Sequence, residues 1–302
     1  MKISITGVTG FVGSNLFENL LEHNCEPKAL NLRKPNWKSE IETDAKAIIH
    51  LAGKAHDTKN SSNSKNYFDI NSKLTHDLFD VFLESNCRDF IFFSSVKAVT
   101  DQTEDIVTEQ TVTNPKTAYG QSKLLAEQYI LSKELPKGKR VFIIRPSMIH
   151  GPGNKGNLNL LYQLVSKGIP WPLGAFHNQR SFCSIDNVCY VILQILEREY
   201  IPSGVYNLAD DETLSTNELI ELIAASTSRK ARIFPIPKKI INTIAKIGDI
   251  LHLPLNTERL DKLTENFVVS NTKIKAIFVI EKLPVSAKEG ISKTIKSFNC
   301  DF

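Results

Sequence analysis

Tyr119 and Lys123 stand four positions apart in Tyr-Gly-Gln-Ser-Lys, inside a run from Ala118 to Leu135 that reads as a helix closed by Pro136 and Gly138. Side chains four apart share one face of a helix, so a phenol and an ammonium can act on one site. A phenol of ordinary pKa, about 10, is a poor base at neutral pH. A fixed cation favours phenolate, and each unit of lowering corresponds to about 1.4 kcal/mol. The pair predicts a proton shuttle. Upstream, Phe90-Ile-Phe-Phe93 reads as a buried strand that delivers Ser94 and Ser95 at its carboxyl end, where open α/β sheets bind their ligands.

The N-terminus supplies a second element. Lys2 to Thr6 reads as a buried strand, and Phe11, Leu16, Leu20 and Leu21 continue at helical spacing, so Gly7, Gly10 and Gly13 mark a strand-to-helix turn. Gly7 permits the tight turn, Gly10 lets the backbone approach a pyrophosphate, and Gly13 lets helix and strand pack closely. Phe11 and Val12 open the helix, whose first N–H groups and positive dipole end suit a phosphate. This spacing predicts a dinucleotide cradle, and a positive nicotinamide ring would add to the effect of Lys123 on Tyr119. The second strand reads as Lys28 to Leu32. It places Asn31 where the adenosine ribose is met, with Arg33 just beyond. An acid there would favour NAD, whereas an arginine can pair with a 2′-phosphate, so the expectation leans to NADP.

Composition sets the class. The chain has 302 residues, 41% hydrophobic and 23% charged, enough for a large core in an ordinary globular protein. No apolar run approaches the roughly 20 residues of a membrane span, and the N-terminus lacks a signal-peptide layout; a cytoplasmic location is expected. The formal charge of +4 is mild and the Lys and Arg are scattered, which argues against nucleic acid. Five cysteines (Cys25, Cys87, Cys183, Cys189, Cys300) without a CxxC pair suggest neither a disulfide framework nor a metal site.

Further elements follow in order. The segment from Lys34 to Asp44 is too short for a regular strand and helix before the strand Ala47-Ile-Ile-His-Leu51. Gly53-Lys-Ala-His56 opens a polar loop, and Tyr67, Ile70, Leu74, Leu78, Phe79 and Phe82 repeat at helical spacing up to Glu84. After the strand Val141 to Ile144 and Arg145-Pro146 the texture loosens, and Val205 to Leu208 reads as a returning strand. The pattern predicts an α/β fold. A doubly wound parallel sheet of Rossmann type is expected over residues 1–150 with a returning segment near 183–208. A smaller substrate lobe, 151–182 and 209–302, is expected to close over it.

From Lys2 to about Asp210 the chain resembles an extended short-chain dehydrogenase/reductase of the nucleotide-sugar epimerase/dehydratase group, similar to UDP-glucose 4-epimerases and UDP-4-keto-sugar reductases. The resemblance rests on the glycine turn, His50-Leu-Ala-Gly53, Asp69-Ile-Asn71, Ser94-Ser95, Tyr119 to Lys123, Arg145-Pro146 with Gly151-Pro-Gly153, Arg180-Ser-Phe182 with Asp186, and Tyr206-Asn-Leu208. It implies that Tyr119 is the catalytic acid/base, that Lys123 holds the nicotinamide ribose while lowering the pKa of Tyr119, and that Ser95 hydrogen-bonds the reacting sugar oxygen. It places Leu51, Ala52, Gly53 and Pro146 against the cofactor, gives Asn71 the orientation of the Tyr119 helix, and assigns the nucleotide diphosphate to Arg180, with Arg259 assisting.

Departures narrow the reaction. Met148 stands where many epimerases carry an Asn for the uridine diphosphate, and Asn157 or Asn159 can take that role. Val96 and Lys97 replace the acid and base of sugar 4,6-dehydratases, so dehydration is disfavoured. The expected activity is NAD(P)-dependent chemistry at carbon 4 of a UDP-hexose or UDP-N-acetylhexosamine, as an epimerase or as a 4-keto reductase in which Lys97 pins the sugar. Homodimerisation is possible on this reading. A non-catalytic NAD(P)-binding regulator is the alternative of another class, and a reductase of steroid- or flavonoid-like substrates shares the fold and the shuttle. Arg180, Lys155 and Asn157 fit a diphosphate better.

Overall fold

Apolar runs too short for helices become strands of one parallel sheet. The computed structural model describes residues 1–42, 44–54, 64–154, 157–251, 253 and 255–298, with the Asn157 side chain outside the described part. Its strands are β1 (Lys2–Thr6), β2 (Glu26–Leu30), β3 (Ala47–His50), β4 (Asp89–Phe93), β5 (Arg140–Pro146), β6 (Met148–His150), β7 (Arg180–Ser184), β8 (Gly204–Leu208) and β9 (Thr213–Leu214). Six of them form the main sheet in the order β2-β1-β3-β4-β5-β8, every pair parallel. Among the described residues between β2 and β3 there is only a 3₁₀ turn, Trp37–Glu40, and β2 ends the sheet as a largely exposed edge. The other three make a small sheet, β6-β7-β9.

The helices are α1 (Phe11–Glu22), α2 (Ser64–Tyr67), α3 (Leu74–Glu84), α4 (Ala118–Ser132), α5 (Asn157–Ser166), α6 (Ile185–Glu197), α7 (Thr216–Ser226), α8 (Lys238–Leu251), α9 (Thr257–Thr264), α10 (Thr272–Phe278) and α11 (Ala287–Phe298). A π-helical turn, Phe68–Lys73, joins α2 to α3, where the sequence pattern predicts an unbroken α-helix.

Both faces of the main sheet are covered. Leu16 and Leu20 of α1 and Val188 and Ile192 of α6 pack on one side. Phe79 and Phe82 of α3 and Ala126 and Ile130 of α4 pack on the other against Phe90 and Ile143. Each aromatic buried to this degree contributes about 1.5–3 kcal/mol. Beyond the sheet a separate core gathers Phe182, Leu214, Ile220, Ile223, Ile241, Ile291 and Ile295. Ile274, Phe278 and Leu283 lie in the segment that sequence assigns to the lobe. They pack instead into the α1/α6 side of the sheet, because α10 crosses back beside β8. Among the described residues no helix is long and apolar enough to cross a membrane.

The tightest junction of sheet and helix is the glycine turn. A Cβ on Gly13 would sit 2.1 Å from the Gly7 carbonyl oxygen, whereas one on Gly10 would sit 3.3 Å from it. Gly13→Ala is therefore expected to force β1 and α1 apart, costing about 1–3 kcal/mol or more, with a smaller loss for Gly10→Ala. Urea midpoints measure both; equal midpoints would contradict the close contact.

Candidate active site

The start of α4 is fixed before Tyr119 is reached. Thr117 caps the helix by accepting from the Gly120 N–H (3.2 Å), and the Asp101 carboxylate accepts from the Thr117 amide (3.0 Å) and hydroxyl (2.8 Å). The helix lies close to the 3₁₀ turn Val96–Ala98: a Cβ on Gly120 would be 2.3 Å from the Lys97 carbonyl oxygen. This approach joins Tyr119 to Ser95, whose side chain hydrogen-bonds the phenol. Ser95 Oγ also accepts from the Lys97 N–H (3.2 Å).

Tyr119 is half-buried, with the Tyr67 ring edge-on at 6.1 Å. Burial pushes its phenol above the ordinary value; the Ser95 hydrogen bond opposes this and Tyr67 adds to it. Lys123 is 5% exposed, and its Nζ donates to the Phe93 carbonyl (2.7 Å) over the Phe92 ring. Burial pulls its ammonium down to about 8, opposed by the Glu127 carboxylate. In this structure burial, Ser95 and Tyr67 set the direction for Tyr119, while the Lys123 ammonium is committed to the carbonyl at the end of β4.

Glu127 lies one further turn along α4. It pairs with Arg145 in a buried ion pair, accepting from Arg145 Nε at 3.0 Å, and it accepts a hydrogen bond from Ser94. None of these partners is apparent from motif reading, although the i, i+4 spacing of Lys123 and Glu127 hints at the contact.

A buried polar relay links this helix to the glycine turn. Thr6 Oγ1 accepts from the Leu51 and Ala52 amides (3.1 and 3.0 Å), so its proton is given to His50 Nδ1 (2.8 Å). His50 Nε2–H then donates to Thr75 Oγ1 (2.9 Å), which donates to the Asn71 carbonyl (2.8 Å). Asn71 Nδ2 donates to Ser122 Oγ (3.1 Å), and Ser122 donates to the Tyr119 carbonyl (2.7 Å). The hydroxyl donors assign the neutral His50 tautomer. Burial, reinforced by Lys123, drives its pKa down to about 3. Asn71 sits in the π-helical turn, an irregularity frequent at functional sites, and its Oδ1 also holds the Lys54 amide (2.7 Å).

The residues expected to hold a dinucleotide line the carboxyl edge of the sheet. Gly10 caps α1 with no side-chain hydrogen bond, leaving the helix start open to an anion at Phe11, Val12 and Gly13. Ala52 abuts the turn, since a Cβ on Gly7 would be 2.7 Å from its nitrogen; a Cβ on Gly53 would be 3.3 Å from Lys123 Nζ. These two contacts set Leu51, Ala52 and Gly53 between cradle and lysine, a fit to a cofactor that bridges them. Asn31 and Arg33 follow β2 and are exposed, with Asn31 Oδ1 accepting from the Arg33 N–H (3.1 Å). Pro146 is buried at the end of β5, beside Leu208.

A cationic cluster borders Ser95. Lys97 Nζ donates to the Asp101 carbonyl (2.7 Å) and lies over the Phe267 ring at 4.2 Å. Arg180 donates to the Lys262 carbonyl (2.8 Å) and faces Glu265 at 3.5 Å. Burial lowers both cations' pKa values and raises that of Glu265, to which both are attracted. Glu265 and Phe267 escape sequence reading because they reach β7 from far along the chain: the Phe267 amide donates to the Gln179 carbonyl (2.9 Å). Arg259 is exposed near the start of α9. Asn157 opens α5, and Lys155 and His56 lie outside the described residues.

Two pH effects follow. Lys123 is charged below about pH 8, so a reaction needing its ammonium fades as pH rises through that value. Glu127→Gln removes the opposing charge and should move this limb of the kcat/KM profile to lower pH, whereas damaged packing alone would lower every point equally. For His50 the unfolded chain binds a proton between about pH 3 and the ordinary 6.5 that the folded state does not, so stability rises with pH across that window. His50→Gln should flatten the urea-midpoint slope there by several kcal/mol in total, at about 1.4 per unit. An unchanged slope would place the titration elsewhere.

A family model described as the NAD dependent epimerase/dehydratase family matches residues 3–209. A UDP-glucose 4-epimerase of Vibrio cholerae is 29% identical over 98% of this chain and 95% of its own. The N-acetyl-alpha-D-glucosaminyl-diphospho-ditrans,octacis-undecaprenol 4-epimerase of Escherichia coli O157:H7 is 26% identical over 98% of this chain and 94% of its own. Among solved structures, MoeE5 in complex with UDP-glucose and NAD superposes with a TM-score of 0.77 at 16% identity, covering 100% of this chain and 99% of that one, a likeness of fold.

Proposed function

The chain belongs to the NAD-dependent epimerase/dehydratase family, and from that premise we propose that it acts at carbon 4 of a UDP-hexose or UDP-N-acetylhexosamine as a 4-epimerase. The observation that carries this reading is the convergence of Tyr119, Ser95 and Lys123 between an open helix N-terminus and a cluster of cations. Gly7, Gly10 and Gly13 with the start of α1 would hold the pyrophosphate of NAD(P), Leu51 to Gly53 its middle, and Lys123 the nicotinamide ribose. When bound, the cofactor accepts and returns a hydride. Tyr119 takes the proton of the 4-hydroxyl and gives it back, and Ser95 holds the same oxygen by a hydrogen bond. Arg180 and Lys97 supply the positive charge that a diphosphate requires, Glu265 offsetting only part of it.

A second reading, a UDP-4-keto-sugar reductase, is favoured by one observation. Lys97 is fixed by Asp101 and Phe267 beside Ser95, and a fixed donor there holds the sugar in one orientation. In either case the cofactor preference leans to NADP, on the strength of exposed Arg33 beside Asn31. A homodimer in the cytoplasm completes the reading.

Pure protein incubated with UDP-glucose or UDP-N-acetylglucosamine, without added cofactor, is expected to yield the galacto sugar. No conversion, with NADPH consumed on a UDP-4-keto sugar, would leave the reductase; neither reaction would leave a cofactor-binding regulator. Tyr119→Phe should lower turnover by about 10²–10⁴-fold with cofactor affinity retained. Arg33→Ala should weaken NADP binding more than NAD binding, by roughly 1.5–3 kcal/mol for a charge-assisted phosphate contact. Equal losses for the two cofactors would place Arg33 outside the ribose site.

A further inference from the structure

α8 is apolar on two faces, and only one of them is used. Ile241 and Ala245 face the lobe core at 2% and 0% exposure, while Ile240, Ile244, Ile247 and Leu251 form a second stripe at 43–63% exposure. Their spacing of four, three and four residues keeps them on one line of the helix. Ile250, beside the stripe, and Phe234, in the segment leading to the helix, are also exposed. Two lysines edge this surface, Lys239 at the start of the helix and Lys246 one turn before Ile250, whereas Lys238 lies across the helix with its ammonium over the Phe176 ring at 5.5 Å. Residues 229–251 hold six cations (Arg229, Lys230, Arg232, Lys238, Lys239, Lys246) against one acid, Asp249. That acid is occupied, accepting from the Thr257 amide (3.0 Å) and hydroxyl (2.6 Å).

We propose that this face of α8 seats the protein on an anionic membrane surface. A contiguous exposed apolar stripe marks an interaction site, and its charged rim decides the partner. A two-fold contact between α8 faces of two copies would set lysine against lysine, and protein interface cores are depleted of lysine. Anionic headgroups neutralise the same lysines, whose stems let the ammonium groups stay at headgroup level while the isoleucines enter the acyl boundary. With 14 residues the helix is shorter than the roughly 20 needed to span, so it lies in the plane of the surface.

The seat lies near the candidate site: a Cβ on Gly248 would be 1.8 Å from the Leu255 carbonyl oxygen, just before α9, and in α9 the Lys262 carbonyl accepts from Arg180. Membrane seating does not rest on the reaction proposed above.

Full-length protein is sedimented with vesicles of phosphatidylglycerol and phosphatidylethanolamine and, separately, with phosphatidylcholine alone. Binding to the anionic vesicles is expected, weakening as salt is raised. Ile244→Glu with Ile247→Glu should reduce it at least tenfold without changing the melting temperature. Lys239→Gln and Lys246→Gln together should sharply weaken the preference for anionic lipid. Failure of the native protein to sediment with the anionic vesicles would overturn the proposal. So would a change from dimer to monomer in the Ile244→Glu, Ile247→Glu protein, measured by analytical ultracentrifugation, since that would assign the face to a second copy.

Discussion

The Thr6 hydroxyl is the point on which the arrangement of the site depends. It sits at the end of β1, receives two amides of the turn after β3, and has one proton left to give. Giving it to His50 fixes that ring's tautomer, so that His50 Nε2–H donates to Thr75; Asn71 is oriented by the Lys54 amide, and the hydrogen bonds run on through Ser122 to the Tyr119 carbonyl. Thr6, His50, Thr75, Asn71 and Ser122 are all fully buried, so a reversed or broken link would strand a polar group out of reach of water. Such a group costs about 1–3 kcal/mol, enough to make the chain an all-or-none structure. Cradle and α4 are thereby held in one register although they are more than a hundred residues apart.

The charges near Lys123 are balanced more finely. A buried ammonium is penalised by desolvation, and an adjacent carboxylate relieves the penalty only as far as it is unshared. Glu127 is shared: Arg145 holds it in a buried ion pair and Ser94 donates to it. Without Arg145 the carboxylate itself would be a buried unpaired charge, a loss of about 3–5 kcal/mol. The compromise leaves Lys123 near 8, charged at neutral pH yet close to losing its proton.

What the sequence discloses is what short spacing encodes. The glycine turn, the strand ends bearing Ser94, Ser95 and Asn31, and the Tyr119–Lys123 pair are local, and each lies on the carboxyl edge of a sheet whose strands are readable as apolar runs. The Glu265 and Phe267 contacts are not local. They depend on a segment 85 residues after Arg180 (265 minus 180) returning to pair with β7, and no periodicity announces that. The π-helical turn at Asn71 escapes for a different reason: one extra residue per turn barely alters the apolar pattern while it turns Asn71 inward toward Lys54 and Ser122. In α8 the helical run is legible, but with apolar residues on two faces the pattern cannot say which face the core takes.

Asp101 shows how the chemistry and the binding subsite are kept at a set separation. Its carboxylate holds the Thr117 amide and hydroxyl, and so the N-terminus of α4; its own carbonyl accepts from Lys97 Nζ. Lys97 in turn gives its amide to Ser95, which reaches Tyr119. Five residues, Asp101, Thr117, Tyr119, Ser95 and Lys97, are thereby tied together, by hydrogen bonds and by the two peptide bonds between Thr117 and Tyr119. Moving Lys97 toward a ligand would break its contact with Asp101 and expose the Phe267 ring, so the cation acts from a fixed place. A fixed cation beside a fixed phenol constrains which face of a bound sugar meets the proton, and the constraint comes from a helix cap that touches neither reacting atom.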